Sequence, residues 1–240
     1  MLREISPRSL TSAPGKGTSS VSSRRNVLRS LPLSCSPGRF RRTLFLKRVF
    51  DLVVASLLAV LMLPVMLLTM MLVKMTSRGP SIYSQQRVGQ FGVIFTIYKI
   101  RTMYHQCENV SGPRWCVPRD PRVTWLGKIL RKCHLDELPQ LWNVLRGDMS
   151  LIGPRPERPE IAATLRQKIE DYDSRLMIRP GISGEAQIHL PPDTCLENVR
   201  QKLVYDRNYI QNLSLWVDVK IIVCTILKMF GLYRLNEPTR

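Results

Sequence analysis

Cysteines are few and scattered in this 240-residue chain, and no CxxC pair occurs. The spacing of His105, Cys107 and Cys116 fits no zinc pattern, which argues against a structural metal and for reduced, unpaired thiols in a cytosolic setting. Acidic residues are scarce: 18 Asp and Glu stand against 36 Lys and Arg, a net charge of +18. That balance implies an anionic partner, whether nucleic acid, an anionic membrane face or phosphorylated substrates. Long apolar runs are almost absent too. Only Leu52 to Val73 runs without a charge for the length of a bilayer core, about 33 Å as a helix, so a bundle of membrane spans is not expected.

The charge is unevenly placed. Residues 1–48 hold eleven Lys and Arg against Glu4 alone. Residues 1–46, rich in Ser, Arg, Pro and Gly, read as a disordered basic tail. "SRRNVLRS" (23–30) has the look of a twin-arginine signal, and the composition is also that of a transit peptide, but "LPLSCSPG" is too short and broken for an apolar signal core. A basic cytoplasmic tail near anionic lipid is favoured.

The apolar run lies within residues 47–78. Arg41, Arg42, Lys47 and Arg48 precede it, and Lys74 and Arg78 follow, so the positive-inside bias favours both ends on the cytoplasmic side. Pro64, at its middle, removes one backbone hydrogen bond and predicts a break. A re-entrant helix broken at Pro64 satisfies both features; a single spanning helix is the simpler alternative. Residues 79–232 then read as one domain on the cytoplasmic side, and 233–240 as a C-terminal tail.

Within that domain, "SIYSQQRVG" and "VIFTIYKI" read as strands of a hairpin joined by "GQFG". Residues 105–121 read as loop. Helices are predicted at about 124–132, 136–145, 157–175, 197–211 and 214–230, with "IGPRPERPE" (152–160) and "RPGISGEAQ" (179–187) as loops. The last helix is apolar but carries Asp218, Lys220 and Lys228. It suits an interfacial position with Trp216 at headgroup depth, or an ordinary core position. The fold class is α+β, mostly helical, with a re-entrant membrane helix, interfacial amphipathic helices and a small β-hairpin.

The chemistry centres on "HLDELPQL" (134–141). Asp136 can cap a helix carrying Glu137, Leu138 and Pro139 in its first turn, with Leu138, Leu141, Trp142 and Leu145 facing a core. Taken alone the pair reads as a helix cap. Its surroundings shift that reading. Arg101, Arg119, Arg122, Lys128 and Arg131 precede it, Arg155 is mounted between Pro154 and Pro156, and Asp148 offers a third carboxylate. Carboxylates beside phosphate-binding cations suggest Mg²⁺ and phosphoryl transfer, and a carboxylate can itself attack phosphorus.

The motifs "KRVFD", "YKIRTM", "RDPRVTWLGKILRK", "LDELPQLWNVLRGDMSLIGPRP", "RPGISG" and "KLVYDRNYI", with the run broken at Pro64, make the chain resemble the bacterial sugar transferase family, the monotopic polyprenol-phosphate phosphoglycosyl transferases. The likeness runs from about Lys47 to Phe230. It implies transfer of a sugar phosphate from a UDP-sugar to polyprenol phosphate (undecaprenyl phosphate), with release of UMP, by a ping-pong route. Asp136 is then the nucleophile and Glu137 a Mg²⁺ ligand beside it. Arg131, Arg155, Arg101 and Arg122 bind substrate phosphates. Asn143, Asp148, Pro154, Pro156, Arg179, Pro180, Gly181, Ser183 and Gly184 shape the pocket. Lys47, Arg48 and Asp51 stand where the lipid phosphate enters.

The resemblance places the catalytic domain on the cytoplasmic face of the bacterial inner membrane, at the first membrane step of exopolysaccharide, O-antigen or glycoprotein glycan assembly. Membrane lipid, downstream glycosyltransferases and a homodimer are its partners, and nucleic acid is not. The chain departs from the family at Leu63, His134 and Glu185, where Ser, Ser and an aromatic are common, and it lacks the extra spans of longer members, as a minimal single-domain form would. Two other readings stand beside it. A non-enzymatic basic membrane adaptor would tolerate Asp136→Asn. A nucleic-acid binder would lose affinity steeply with salt and leaves the apolar run unexplained.

Overall fold

A computed structural model describes residues 37–107, 120–191 and 195–233. Arg119, Cys116, most of the basic tail and residues 234–240 lie outside these. The chain opens with α1 (Pro37–Thr76), followed by an antiparallel pair, β1 (Ile82–Val88) and β2 (Ile94–Ile100), joined by a short 3-10 turn. Then come α2 (Trp125–Lys132), a 3-10 turn at Leu135–Glu137, α3 (Gln140–Arg146), β3 (Ser150–Ile152), α4 (Pro159–Lys168) and a 3-10 segment at Tyr172–Met177. The chain closes with β4 (Gly181–Ser183), α5 (Glu185–His189), α6 (Leu196–Gln211) and α7 (Leu215–Met229).

The hairpin forms where alternation and "GQFG" predict it, with Ile82 opposite Ile100 and Val88 opposite Ile94. Phe91 at φ 56° and Gly92 at φ 78° make the reversal. α2 begins where expected, because the Thr124 hydroxyl accepts from the Gly127 N–H at 2.9 Å. Gly127 lets α2 lie directly on the end of β2: a Cβ there would stand 2.1 Å from the Thr102 carbonyl oxygen.

Several elements differ from expectation. α1 starts at Pro37, so residues 37–46, expected in the tail, extend the helix. Helix runs on through Pro64, where a break was expected. A single proline deletes one ladder bond, and the bonds on either side of it carry the helix through. α4 ends at Lys168, short of the predicted 175, and the chain tightens into 3-10 turns. β3, which runs into the start of the first presumed loop, pairs in parallel with β4 inside the second, in the register Ser150–Gly181 and Ile152–Ser183. Here backbones approach so closely that a Cβ on Gly181 would lie 2.1 Å from the Gly153 nitrogen.

The main core joins Ile97 of β2, Leu141 and Val144 of α3, Met149, Ile152, Ile178, Tyr209 of α6 and Ile221 of α7, with Ala55 of α1 packed into it. Burying each large apolar side chain is worth about 1.5–3 kcal/mol. A second cluster sets α4 against α6 through Ala162, Leu165, Val199 and Leu203. A third sets Val73 of α1 against Ile100, Leu126 and Leu130. Trp142, expected in the core, is exposed instead. α3 starts later than predicted and turns Gln140, Leu141, Asn143 and Val144 inward.

By length and composition α1 is the one helix among the described residues able to cross a membrane. Both of its ends dock on the same folded body. Near one end, Lys47 Nζ donates to Asp218 Oδ2 at 2.7 Å and the Leu151 N–H donates to Asp51 Oδ1 at 3.2 Å. Near the other, the Ser81 hydroxyl donates to the Met70 carbonyl at 2.9 Å. Between them Leu57, Val60, Leu61, Leu67 and Leu68 are exposed.

Candidate active site

The acidic pair sits in a tight turn upstream of α3, not at its N-cap. After α2, His134 takes the left-handed conformation at φ 53° and reverses the chain. Leu135–Glu137 then winds as 3-10 helix, with the Leu138 N–H donating to the Leu135 carbonyl at 3.4 Å and α3 starting only after Pro139. Pro139 has no N–H, so α-type bonding cannot begin at that residue. Asp136 therefore makes no cap to α3. It and Glu137 are both buried.

Burial of two adjacent carboxylates demands cations, and three converge. Lys99 Nζ and Arg155 Nη2 each donate to Glu137 Oε1 at 2.7 Å. Arg131 completes the set: its Nε donates to the Thr102 hydroxyl at 2.8 Å, and its charge favours the ionised form of Asp136. The two acids separate in consequence. Burial works against the Glu137 charge, but Arg155 and Lys99 together outweigh it and hold its pKa well below the usual carboxylate range. Burial, then repulsion from Glu137, pushes Asp136 above the usual range, against the pull of Lys99, Arg131 and Arg155. Paired titratable groups driven apart by their environments mark a division of chemical labour. Burial lowers the Lys99 pKa, and Glu137 opposes that.

The supports of this site are rigid. Arg175, itself buried, donates from Nη2 to the Arg155 carbonyl at 2.9 Å and ion-pairs with Asp206 of α6 at 2.8 Å. Arg87 Nη1 donates to the Pro156 carbonyl at 3.0 Å. The Gly153–Pro156 segment is thus fixed from two sides, and Arg155 with it. Asn143, fully buried, donates to the Thr96 carbonyl at 2.7 Å, accepts from the Tyr98 N–H at 3.3 Å and reaches Asp148 Oδ2 at 3.3 Å. It clamps α3 to the middle of β2, the strand that carries Lys99. Asp148 also lies 3.6 Å from Arg146 Nε.

Of the expected residues, Asp136, Glu137, Arg131 and Arg155 come together, and Lys99, which carried no expectation, joins them. Its only signal in the sequence is its place in "YKIRTM". Other expected residues lie apart from this cluster. Arg122 forms a two-pronged pair with Asp120, Nε to Oδ1 at 2.9 Å and Nη2 to Oδ2 at 2.6 Å. Arg101 donates from Nη2 to the Ser77 carbonyl and hydroxyl, both at 2.8 Å, at the far end of α1. Arg179 Nε donates to the Gly147 carbonyl at 2.9 Å, on the Arg48 side of α3.

Pro154, Gly181, Ser183 and Gly184 build the β3–β4 junction: the Gly181 N–H donates to the Pro154 carbonyl at 3.0 Å and the Gly153 N–H to the Ser183 carbonyl at 2.9 Å. Pro180 accepts from the Ser150 N–H. Lys47 and Asp51 are buried in the network with Asp218, whose Oδ1 accepts from the Tyr209 hydroxyl at 2.5 Å. Arg48 closes the C-terminus of α3 by donating to the Val144 and Leu145 carbonyls at 2.6 and 3.0 Å. All three make their contacts where α1 docks on the body.

No cluster of three or more His, Cys, Asp or Glu side chains forms a metal cage among the described residues. Mg²⁺ does not need one: it binds through one or two carboxylates plus substrate phosphates, a donor set that Asp136 and the remaining oxygen of Glu137 fit.

Residues 42–231 match the family described as bacterial sugar transferase. The chain is 40% identical over 185 residues to the undecaprenyl-phosphate glucose phosphotransferase of Komagataeibacter xylinus, covering 75% of this chain and 35% of that protein. It is 43% identical over 190 residues to the UDP-N-acetylgalactosamine-undecaprenyl-phosphate N-acetylgalactosaminephosphotransferase of Aeromonas hydrophila, 78% of this chain and 45% of that one. With the UDP-glucose:undecaprenyl-phosphate glucose-1-phosphate transferase of Caulobacter vibrioides it shares 44% over 182 residues, 75% and 68%. The chain therefore spans less than half the length of the first two of these relatives.

Proposed function

We propose, starting from the fact that this chain belongs to the bacterial sugar transferase family, that it moves a sugar 1-phosphate from a UDP-sugar to undecaprenyl phosphate in two steps through Asp136. The observation that carries the reading is the divided acid pair: Glu137 held anionic by Lys99 and Arg155, and Asp136 made more basic beside it.

In the first step an Asp136 oxygen attacks the phosphorus bearing the sugar. The bond from that phosphorus to the oxygen bridging toward UMP breaks, and UMP leaves with the electron pair. The Asp136 acyl phosphate keeps the energy of the anhydride, so the step stays near balance. In the second, a phosphate oxygen of undecaprenyl phosphate attacks the same phosphorus and the bond to Asp136 breaks, restoring the carboxylate. Arg131, Arg155 and Lys99 are placed to meet the charge on the diphosphate oxygens in both steps. Asp136 and Glu137 would hold Mg²⁺, which neutralises diphosphate charge when bound.

The re-entrant reading of α1 is supported by its two docked ends. As a straight helix Lys47 and Ser77 would stand about 45 Å apart, yet both bond to one body, through Asp218 and Arg101. The basic flanks favour the cytoplasmic face of the inner membrane. α7 adds an exposed stripe of Trp216, Val219, Val223, Ile226 and Phe230, suited to the bilayer surface. The relatives' names carry different sugars, so a panel is the test. The protein is incubated with Mg²⁺, a set of UDP-sugars and short-chain polyprenol phosphate, and UMP is measured. Release with one of them, and its loss in Asp136→Asn together with any trapped phosphosugar adduct, is the expected result. No UMP with any nucleotide sugar overturns the reading.

A further inference from the structure

The cations first expected to receive the lipid phosphate are engaged. Lys47 is buried against Asp218, and Arg48 donates to two carbonyls. At the opposite foot of α1 the position is reversed. The Arg101 side chain is about nine-tenths covered, yet its Nε and Nη1 donors have no hydrogen-bond partner. Only Nη2 is used, on Ser77. A guanidinium taken out of water with two donors idle is unfavourable unless an anion meets it. Burial lowers its pKa, and an arriving anion would relieve that burden.

The surroundings cover the fork without supplying an acceptor. Gly79, at φ +110°, faces Nη1: a Cβ there would lie 2.3 Å from Nη1 and 2.8 Å from His105 Cγ. Lys74 and Arg78, both exposed, stand at the same foot of α1 without an ion-pair partner among the described residues. The place also leads to the active site. Lys99 and Arg101 share a face of the β2 chain, about 7 Å apart, and the ladder continues through the Arg101 N–H to the Ser81 carbonyl at 2.8 Å. Lys99 holds Glu137, while Thr102, the residue after Arg101, holds Arg131. A line of cations thus runs from the emerging end of the apolar helix to the carboxylate pair.

We infer that the Arg101 fork, flanked by Ser77, Gly79 and His105, is the receiving site for the phosphomonoester of the polyprenol substrate, which enters at the C-terminal foot of α1 and passes along Arg101 and Lys99 to Asp136. The inference rests on the proposed transfer reaction for the identity of the lipid. It rests on the unpaired, covered guanidinium for the place. A phosphomonoester carries more charge and more free oxygens than the phosphodiester of a bilayer phospholipid, so it fits the two idle donors better.

The test uses the whole protein in nanodiscs. A short-chain polyprenol phosphate with a photoreactive group next to the phosphate is bound to the wild type, and the labelled peptides are mapped. Label at residues 74–81 or 101–105, undiminished by excess phosphatidylglycerol, is expected. Label at residues 47–51, or displacement by phosphatidylglycerol, overturns the inference. Arg101→Gln is expected to raise KM for polyprenol phosphate at least tenfold while KM for the UDP-sugar stays within twofold, and Arg101→Lys to recover part of the loss. A lipid KM within twofold of wild type in Arg101→Gln also overturns it. Mapping and displacement need no turnover, so failure of the wild type to release UMP strikes the reaction and leaves this result to be judged separately.

Discussion

Lys99→Met probes the centre of the site through a residue that nothing local in the sequence singles out. The substitution keeps much of the aliphatic stem and deletes the ammonium that lies 2.7 Å from Glu137 Oε1. Two unit charges about 4 Å apart attract by about 4 kcal/mol at an effective dielectric of 20. Against that stands the burial of the Lys99 ammonium, the largest influence on its pKa, which the variant no longer bears. Removing one partner of a buried pair costs about 3–5 kcal/mol when the other is left bare. Glu137 is not left bare, because Arg155 Nη2 still donates to the same oxygen. The expected loss of stability is therefore about 1.5–3 kcal/mol, the range for a hydrogen bond to a charged group. Chemical denaturation of the single variants, Glu137→Gln and the double variant isolates the pair. A coupling within about 0.5 kcal/mol of zero refutes the claim that Lys99 holds Glu137. A second readout follows Asp136. The Lys99 charge favours the Asp136 carboxylate, so its removal lifts the Asp136 pKa further. The acid limb of UMP release must move to higher pH in Lys99→Met. A limb that stays in place, or moves down, refutes the electrostatic account.

Two further outcomes follow from the scaffold. Asn143→Leu leaves the Thr96 carbonyl and the Tyr98 N–H without their side-chain partner, which should cost about 2–4 kcal/mol at about 1–2 for each buried group; unchanged denaturation midpoints would show that α3 and β2 are clamped by packing alone. Gly181→Ala must push a Cβ to 2.1 Å from the Gly153 nitrogen, so the β3–β4 pair cannot close and soluble, folded protein should fall sharply; Gly38→Ala, with nothing within 4 Å of its Cβ, is the control that should behave as wild type.

What could be read in the sequence was local. The hairpin follows from alternating β-branched residues around a Gly-containing reversal, and α2 from the Thr124 cap. The parallel β3–β4 pair was hidden, because three-residue strands among Pro and Gly carry no period and their partners lie some thirty residues apart. Lys99 was hidden for the same reason, its partner being 38 residues further on. The acid pair itself was legible, but its local geometry was not: an Asp ahead of an apolar helix reads as an N-cap, while Pro139 and the left-handed His134 turn it into a separate 3-10 corner. Trp142 faced outward once that corner shifted the phase of α3.

The corner also explains how the apolar helix and the acid pair can share one frame. Asp51 of α1 accepts from the Leu151 N–H, so the helix is bonded to β3. Four residues beyond Leu151 is Arg155, which holds Glu137. At the other end of α1, Arg101 binds Ser77, and two residues before Arg101 is Lys99, which holds the same Glu137 oxygen. Each docked end of the apolar helix is thus within four residues of one of the two cations that converge on a single carboxylate oxygen. Any movement of α1 that separates its two ends must strain one of those bonds, and Glu137 is the point at which the strain meets. A buried carboxylate held by two cations, each a few residues from a contact to one end of α1, ties the charge state of the site to the seating of that helix.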